Sequence, residues 1–456
     1  MAQTGALILA AGKGTRMRSE RPKVLHTLLG EPMLWYVYQA LDGLVDASAV
    51  WSVIGHGAEM VRAAFPTRES GFVLQERQLG TGHALQTAWP TLLAAGTETL
   101  LVLNGDTPLI TTQSLRTLLD ASRGSDTAVS FLTMELDDPG AFGRVVRAPD
   151  DAVAAIVEAK DFDPTRHGKE TGEINSGIYV LNVAAVGPLL EKLRDDNASG
   201  EYYITDLVAL AVAEGLSVLG VRNGSDPHLL GVNNPAELVE AEQRLRADIV
   251  ATWLEAGVCI HGPDSAVIGP RATLAPGSEI FAPCELYGQV VVSSEARIDS
   301  HCWVLDSHIG EGAHIKSFCH LDGAQVGPGC QVGPYARLRP LAVLEQDARV
   351  GNFVEVKKAR LGKGAKASHL SYLGDAHIGA GANIGAGTIT CNYDGTHKHH
   401  TEIGQGAFIG SNTALVAPVR VGDGALVGAG SVITQDVGDN MLAVERSKQR
   451  QIPRRK

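Results

Sequence analysis

The stretch that determines the fold of the C-terminal half is residues 308–351, HIGEGAHIKSFCHLDGAQVGPGCQVGPYARLRPLAVLEQDARVG. Within it an aliphatic residue recurs every six positions and is often followed by Gly, as at Ile309, Val326 and Val332. The series slips by one residue between Leu321 and Val326 and then continues. A hexapeptide repeat is typical of a parallel β-helix, in which each repeat forms one flat side and one turn. The sequence therefore predicts a β-helix with the aliphatic residues inside.

The same repeat extends over most of residues 257–456 and is interrupted once. Between Ile384 and Ile403 the chain inserts a segment that contains TCNYDGTHKHH at residues 390–400. An insertion into a repeat fold forms a loop on one face, often the binding face. The predicted inward positions are Ile268, Leu274, Ile280, Leu286, Val292, Ile298, Val304, Ile309, Ile315, Leu321, Val326, Val332, Leu338, Leu344, Val350, Val356, Leu361, Ile378, Ile384, Ile403, Ile409, Leu415, Val421, Val427 and Ile433.

The cysteines and the loop histidines do not indicate a metal site. All six cysteines lie in the C-terminal half, and no two have CxxC spacing, which argues against a disulfide framework or a zinc site. Cys284, Cys302, Cys319 and Cys330 each follow an aliphatic position by four residues, so we predict small buried fillers. The loop histidines are predicted to be solvated, because no Cys or carboxylate spacing supports them as ligands. They are His397, His399 and His400.

Residues 1–229 alternate strand-like and helical patterns, which predicts an α/β domain with a mostly parallel sheet and a ligand site beyond the carboxyl ends of its strands. The strand candidates are Ala6–Ala10, Val50–Gly55, Leu100–Asn104, Val129–Thr133 and Gly177–Leu181, and the helix candidates are Met33–Leu44, Thr81–Leu93, Ser114–Ser122 and Asp206–Glu214. Residues 230–256 form a linker with a helix from Pro235 to Ala256, capped by Asn234. This helix is either an arm between domains or packed on the first domain.

Composition limits the classes of partner. The chain has 456 residues, a net charge of −12 and a pI of about 5.7, so a non-specific nucleic-acid binder, which needs a basic face, is not expected. No uncharged run approaches the length of a membrane span, and the N-terminus lacks the charged region of a signal peptide. We expect a cytoplasmic protein without membrane insertion.

A Gly-rich turn follows the first predicted strand, in LAAGKGTRM at residues 9–17, and it is either a phosphate-binding turn or a purely structural one. Small residues there let backbone N–H groups approach an anion. A Walker A loop is excluded because Gly14 follows Lys13, and a dinucleotide fingerprint because Met17 replaces the third Gly. Farther along, Asp106 ends a strand and could hold Mg²⁺ against phosphate oxygens, or simply cap the next turn.

These motifs resemble those of a known family. LAAGKGTRM with Pro22 and Lys23 is similar to the G-x-G-T-R…P-K signature of sugar-1-phosphate nucleotidyltransferases. ARLRP (336–340), GNFVEVKKARLG (351–362), SHLSYLGD (368–375), NIGAG (383–387) and NYDG (392–395) resemble the active region of glucosamine-1-phosphate acetyltransferases. Over nearly its full length the chain thus resembles bacterial enzymes that make UDP-N-acetylglucosamine with a uridyltransferase fused to a hexapeptide-repeat acetyltransferase.

The resemblance implies a Rossmann-like nucleotidyltransferase domain, a linker helix and a left-handed parallel β-helix. It implies acetylation of glucosamine-1-phosphate by acetyl-CoA, followed by Mg²⁺-dependent uridylyl transfer from UTP, and a homotrimer with shared acetyl sites. In the first domain it assigns Arg16 and Lys23 to catalysis and Asp106 and Asn233 to the metal, with Lys13 as a less supported phosphate contact. The implied nucleotide and sugar contacts are Leu9, Ala10, Ala11, Gly12, Lys23, Gln75, Gly80, Thr81, Asn104, Gly105, Asp106, Gly143, Glu158, Asn175 and Asn233.

In the second domain the resemblance assigns His369 as the proton acceptor, since a neutral imidazole suits deprotonation of an amine near pH 7. The implied sugar-phosphate contacts are Arg339, Lys357, Tyr372 and Asn383, and the implied acetyl-CoA contacts are Ala386, Asn392, Tyr393, Ser411, Ala429 and Arg446. Our own addition is that Glu355 orients His369. For the rest of the basic tail, up to Lys456, two interpretations stay open: a solvated end, or an aid in neutralising CoA phosphates.

Two alternatives remain at this stage. The chain could be a nucleotidyltransferase of another base specificity with a β-helix that does not acetylate, although such an enzyme has no need of the His369 region. It could also be a non-catalytic regulatory subunit, although its phosphate, metal and base positions are intact. Leu341 after Pro340, and Asn104, depart from what relatives often carry, which bears on fine substrate geometry only.

Overall fold

The computed structural model describes residues 3–123 and 126–454. It divides into two compact units, with the division after Gln243, and each is described by itself. Among the described residues, no helix is both long and apolar enough to span a bilayer.

The first unit is built on a mixed sheet. Its strands are β1 (Thr4–Leu9), β2 (Thr27–Leu28), β3 (Glu31–Pro32), β4 (Val50–Ile54), β5 (Phe72–Leu74), β6 (Thr99–Asn104), β7 (Thr127–Glu135), β8 (Arg144–Arg147), β9 (Val153–Val157), β10 (Glu173–Asn182) and β11 (Ser217–Arg222). Its helices are α1 (Met33–Leu41), α2 (Ala58–Ala64), α3 (Thr81–Ala94), α4 (Thr112–Ser122), α5 (Pro164–His167), α6 (Val183–Leu190) and α7 (Asp206–Ala213). Each strand and helix predicted for this half is present, with ends shifted by a few residues.

The main sheet has the order β11-β7-β10-β6-β1-β4-β5. Neighbours pair in parallel except β10, which runs antiparallel to both β6 and β7. Off this path, β8 pairs antiparallel with β10 and with β9. The sheet is therefore mixed, and the predicted parallel pairing holds between β11 and β7 and along β6-β1-β4-β5. Successive residues of β1 from Gly5 to Ile8 are all buried, which indicates a sheet covered on both faces.

Reversal of β10 has a direct consequence for the site. The carboxyl ends of β1 and β6 lie side by side, since Leu9 pairs with Asn104. Because β10 is antiparallel, with Tyr179 opposite Val102, it brings its beginning rather than its end to that edge. Residues near Asn175 therefore join the loops after β1 and β6 at one edge of the sheet.

The helix after this unit, α8, spans Pro235–Glu255 and crosses the division between the units. Its start is as predicted, because the Asn234 side chain accepts hydrogen bonds from the N–H groups of Ala236 (2.9 Å) and Glu237 (3.0 Å). Within the first unit, Glu242 accepts from the Leu29 N–H at 3.1 Å. Within the second unit, Val250 belongs to the buried core.

The second unit is a parallel β-helix. One strand ladder contains Cys259–His261, Glu279–Phe281, Arg297–Ile298, His314–Ile315, Gln331–Val332, Arg349–Asn352, Lys366–His369, Asn383–Ile384, Phe408–Ile409, Leu426–Val427 and Leu442–Ala443. The remaining strands are Ala266–Ile268, Thr273–Leu274, Cys284–Tyr287, Val291–Val292, Trp303–Leu305, His308–Ile309, His320–Asp322, Gln325–Val326, Arg337–Leu338, Val343–Leu344, Glu355–Leu361, Tyr372–Ile378, Ile389–Cys391, Thr401–Ile403, Ala414–Val416, Val419–Val421 and Val432–Ile433.

One coil of the β-helix takes three hexapeptides. Ile280 pairs with Ile298, 18 residues later, and Ile298 pairs with Ile315, 17 residues later, so the slips in the repeat are absorbed without loss of register. Every predicted inward aliphatic residue is at most 5% exposed. The four cysteines predicted as fillers are at most 2% exposed, which confirms that prediction too.

The corners of the coils have left-handed backbone conformations even where the residue is not Gly. At one corner, Phe318, Tyr335, Phe353 and Leu370 follow each other on successive coils with φ between 49° and 64°. Phe318 and Tyr335 stack with ring centroids 4.9 Å apart, and Tyr335 and Phe353 with centroids 5.4 Å apart. This corner is exposed and apolar, and it borders the His369 region described below.

Candidate active sites

The first site lies at the carboxyl edge of the α/β sheet. Gly105, just after β6, donates its N–H to the Leu9 carbonyl at 2.9 Å. A Cβ at Gly105 would lie 3.1 Å from the Ala10 Cβ, so a side chain here would push the two loops slightly apart. The Gly-rich turn and the Asn104–Asp106 turn are thereby held together.

Four of the predicted side chains meet at this edge. Lys23 Nζ donates to Asp106 Oδ2 and, at 2.7 Å, to Asn233 Oδ1. Arg16 also donates to Asn233 Oδ1, at 2.9 Å. Two oxygens, from a carboxylate and an amide, thus converge on one ammonium nitrogen, which places them close enough to share a small cation. Hard oxygen donors of this kind suit Mg²⁺, and the two cations suit phosphate oxygens.

The orientation of Asn233 depends on a residue to which the sequence analysis gave no role. Glu237, in the first turn of α8, accepts from the Asn233 backbone N–H at 2.7 Å and from its Nδ2 at 3.1 Å. Since Nδ2 is engaged by Glu237, Oδ1 faces Lys23 and Arg16. A capping-box pattern, Asn234 followed three residues later by Glu237, was visible in the sequence and is the signal that could have identified Glu237.

A second cluster contains Gln75, Gly80 and Thr81. The buried Gln75 donates from Nε2 to the Gly80 carbonyl at 3.2 Å and lies 2.8 Å from His83 Nδ1. Burial and the nearby Arg77 lower the pKa of His83, so this imidazole is neutral at pH 7. Gly80 has φ +109°, and a Cβ there would collide with the Tyr202 carbonyl. Thr81 Oγ1 accepts from the Ile204 N–H at 3.1 Å, which ties the start of α3 to the segment before α7.

A third cluster joins Gly143, Glu158 and Asn175. The Asn175 N–H donates to the Gly143 carbonyl at 2.9 Å, and its Nδ2 donates to the Tyr179 hydroxyl at 2.6 Å. The Glu158 carboxyl accepts from Thr205 Oγ1 at 3.0 Å, and burial raises its pKa. Hydrogen-bonding groups that both donate and accept are arranged here, as recognition of sugar hydroxyls requires.

Three of the four predicted sugar-phosphate residues, Arg339, Lys357 and Tyr372, lie on or just after neighbouring strands of one ladder of the β-helix. Arg339 Nη1 donates to Glu355 Oε1 at 2.7 Å, and Glu355 pairs in register with Tyr372. Lys357 lies beside Lys398 and Arg339, and these neighbouring cations lower the pKa of Lys357. Lys398 comes from the inserted loop and was not predicted, because its proximity to Lys357 arises only when the loop folds onto the coil. Three cations are thus grouped here, a charge arrangement that suits an anion.

His369 ends the strand Lys366–His369 and is exposed. Its Nδ1 lies 2.7 Å from Asn352 Oδ1 on the preceding coil. The suggestion that Glu355 orients His369 is therefore wrong, because Glu355 is on another strand and is engaged by Arg339. His369 contacts Asn352 because the register of the ladder places these two residues opposite each other.

Three of the six predicted acetyl-CoA residues form a column. Ile384, Ile409 and Val427 pair in register, so Ala386, Ser411 and Ala429, each two residues later, occupy the same corner of three successive coils. Arg446 Nη1 donates to the Ala429 carbonyl at 2.7 Å, which connects the tail to this column. Asn383, predicted to contact the sugar, lies on the strand next to that of His369. The final tail residues, Arg455 and Lys456, lie outside the described residues.

The inserted loop folds back on itself between Asn392 and His399. Asn392 Nδ2 donates to Asp375 Oδ2 at 2.5 Å, and the half-exposed Tyr393 donates from its hydroxyl to the Gly395 carbonyl at 2.5 Å. His399 contacts Asp394 at 2.6 Å, and this contact holds the Asp394 pKa well below its usual range. The loop therefore presents Asn392, Tyr393 and Lys398 from a fixed base on the coil.

Comparison with known proteins covers both units. Residues 6–179 match the model of the MobA-like NTP transferase domain, and residues 400–435 match the bacterial transferase hexapeptide (six repeats). The bifunctional protein GlmU of Nitratidesulfovibrio vulgaris (strain Miyazaki F) is 60% identical over 99% of both chains, and that of Oleidesulfovibrio alaskensis is 61% identical over 98% of this chain and 97% of its own. The Lawsonia intracellularis protein of the same name is 47% identical over 99% and 98%. With this identity over its whole length and both transferase folds present, the chain belongs to the family of bifunctional GlmU proteins, which join a uridyltransferase to an acetyltransferase.

Proposed function

We propose that the β-helix transfers the acetyl group of acetyl-CoA to the amine of glucosamine-1-phosphate, and that the α/β unit then transfers uridylyl from UTP to the N-acetylated product with Mg²⁺. The products are CoA, pyrophosphate and UDP-N-acetylglucosamine, a precursor for peptidoglycan and lipopolysaccharide. For uridylyl transfer, the observation that supports the proposal is the convergence of Asp106 and Asn233 on Lys23 Nζ. For acetyl transfer, it is the contact between His369 and Asn352.

For uridylyl transfer, no protein nucleophile is needed. A phosphate oxygen of the sugar attacks the α-phosphorus of UTP, and pyrophosphate leaves from the opposite side. Catalysis then consists of alignment and charge neutralisation. Asp106 and Asn233 would hold Mg²⁺, which would neutralise phosphate charge when bound, while Arg16 and Lys23 donate to phosphate oxygens, with Lys13 as a further contact. The turn 9–12 and Asn104–Asp106 approach the nucleotide with backbone groups.

Recognition in this unit is divided between two clusters. We assign the base to the buried Gln75 with Gly80 and Thr81, where an amide can donate and accept at once. We assign the N-acetylglucosamine moiety to Gly143, Glu158 and Asn175, whose side chains are already fixed by Thr205 and Tyr179. Pre-positioned groups of this kind lose little entropy when the substrate binds.

For acetyl transfer, the amine of the sugar must be neutral to attack the thioester. His369 accepts its proton, the new C–N bond forms, the C–S bond breaks, and the CoA sulfur leaves as a thiol after protonation by the imidazolium. Arg339, Lys357 and Lys398 bind the sugar phosphate, with Tyr372 and Asn383 on the sugar. The column Ala386, Ser411 and Ala429 would contact the pantetheine chain, with Asn392, Tyr393 and Arg446 around it.

Further features of the proposal concern assembly and location. A homotrimer is supported by the apolar corner, where Phe318, Tyr335, Phe353 and Leu370 are each 46–60% exposed, since such a surface favours burial against another chain. We place the domain boundaries at residues 1–229, 230–256 and 257–456 and the enzyme in the cytoplasm.

A panel assay tests this function against its alternative, a nucleotidyltransferase of other base specificity without acetylation. The full-length protein is incubated with Mg²⁺, glucosamine-1-phosphate and acetyl-CoA, and with UTP, ATP, GTP, CTP or dTTP in turn. We expect release of free CoA in every sample and of pyrophosphate with UTP. Pyrophosphate with another nucleotide and no free CoA would favour the alternative, and release of neither would favour a regulatory subunit.

A further inference from the structure

Asn352 lies directly beside the proposed base on the β-helix. The strand Arg349–Asn352 pairs in parallel with Lys366–His369, and the register places Asn352 opposite His369. Their side chains meet with Asn352 Oδ1 2.7 Å from His369 Nδ1. The charged residues on these two strands, Arg349 and Lys366, pair with each other three positions earlier.

The corner that follows fixes both backbones. Phe353 has φ 56° and Leu370 has φ 49°, so both strands leave the ladder through the same left-handed turn. The Leu370 N–H donates to the Asn352 carbonyl at 3.0 Å, and Ser371 Oγ donates to the His369 carbonyl at 2.9 Å. A residue in such a conformation persists only where the surroundings determine it. The two side chains therefore start from a rigid base.

We infer that Asn352 is a positioning residue for acetyl transfer, an inference that rests on the proposed function of His369. An amide oxygen can only accept, so its contact with Nδ1 requires the proton of a neutral imidazole to be on Nδ1. Nε2 is then unprotonated and able to take a proton from the amine. A carboxylate at position 352 would hold the same tautomer but would also stabilise the imidazolium, whereas the neutral amide does not.

The test uses the full-length protein with Asn352→Ala, Asn352→Asp and, as a matched control, Ser317→Ala, which changes a polar side chain just before the same corner two coils earlier. For N352A we expect the kcat of acetyl transfer to fall about tenfold or more while both KM values stay within about twofold, since a base without a fixed tautomer is less often competent. N352D should recover part of kcat and move the acidic limb of its pH profile to higher pH. S317A, and uridylyl transfer in all variants, should be unchanged.

A second readout does not depend on turnover. In ¹⁵N NMR of the labelled protein at a pH where His369 is neutral, the wild type should carry the proton on Nδ1, and N352A should show a mixture of tautomers. Unchanged kcat in N352A, or a proton on Nε2 in the wild type, would overturn the inference. His369→Ala separates the two claims. Full acetyl transfer in H369A would refute the role of His369 as the base. An inactive H369A beside a fully active N352A would refute only the role of Asn352.

Discussion

Lys23 and Asn233, 210 positions apart in the sequence, are joined by a 2.7 Å hydrogen bond from Nζ to Oδ1. The same ammonium group pairs with Asp106, and Lys23 is only 12% exposed. The carboxylate and the amide oxygen offset part of the cost of removing this ammonium group from water, and the same group can donate to a phosphate oxygen instead. The side chains that we propose for uridylyl transfer are therefore already in contact with one another.

Replacement of Lys23 by Ala should lower kcat/KM for uridylyl transfer by about 100-fold or more, because the ammonium group proposed to neutralise phosphate charge is lost and Asp106 loses its charged partner. Lys13→Ala is the matched control: Lys13 is exposed on the same loop and should cost less than about tenfold. Pyrophosphate release at varied UTP measures both. Equal losses for the two variants would contradict the role given to Lys23.

Gly177 in β10 carries a second testable constraint. It has φ +79°, and a Cβ there would collide with the side-chain amide of Asn104. Gly177→Ala should displace Asn104, next to Asp106, and lower uridylyl transfer by at least about tenfold in addition to a loss of stability of about 1–2 kcal/mol. Gly168, with φ +83° and open space around it, is the control, and Gly168→Ala should affect stability alone. Activity in G177A equal to that in G168A would count against the contact.

The β-helix core can be tested within one strand. Val292 is 1% exposed, whereas its neighbour Val291 is 38% exposed. Val292→Ala should destabilise the second unit by about 2 kcal/mol through lost apolar burial and a residual cavity, and Val291→Ala by much less. Thermal inactivation of acetyl transfer measures the difference, with uridylyl transfer in the same sample as the internal control. A larger effect of V291A would mean that the register is shifted by one residue.

We expect the stability of the first unit to depend on pH through Asp206. Burial and the nearby Glu158 raise its pKa from 3.8 to about 6. A raised carboxyl pKa means that the folded state disfavours the charged form of Asp206. The resulting loss of folding stability is absent below pH 4, grows between pH 4 and 6 and is complete above pH 6. Asp206→Asn should thus stabilise the first unit by about 1 kcal/mol at pH 7.5, after allowance for solvent screening, and progressively less as the pH falls to 4. Thermal unfolding at several pH values checks this, with the exposed Asp195→Asn as control; a gain independent of pH would contradict it.

The period of the aliphatic residues was sufficient to predict the β-helix, because one inward residue every six positions matches one side of a coil and little else. The alternation of strand-like and helical patterns likewise predicted the strands and helices of the first half, because each element type has its own spacing of apolar residues. Antiparallel β10 could not be predicted, since the direction of a strand leaves no trace in its own hydrophobic pattern. It is β10 that brings Asn175 to the edge that already carries Asn104.

The proposed contacts of both sites came from family motifs, and residues to which those motifs give no role were missed. Glu237, Lys398 and Asn352 act through neighbours that are adjacent only after folding, across a helix start, an inserted loop and a coil respectively. The role predicted for Glu355 was wrong for a related reason, because the partners of a side chain are decided only by folding. Glu355 and His369 lie close in sequence, but the corner between them sends their strands to different faces.

We propose that two separate sites in one chain catalyse consecutive reactions. Comparison of two single variants with the wild type tests this directly. Wild type, Asp106→Ala and His369→Ala are incubated with glucosamine-1-phosphate, acetyl-CoA, UTP and Mg²⁺, with free CoA and pyrophosphate measured together. We predict both products from the wild type, CoA alone from D106A, and neither from H369A until N-acetylglucosamine-1-phosphate is supplied, when pyrophosphate appears. Pyrophosphate from D106A, or free CoA from H369A at the wild-type rate, would contradict the account.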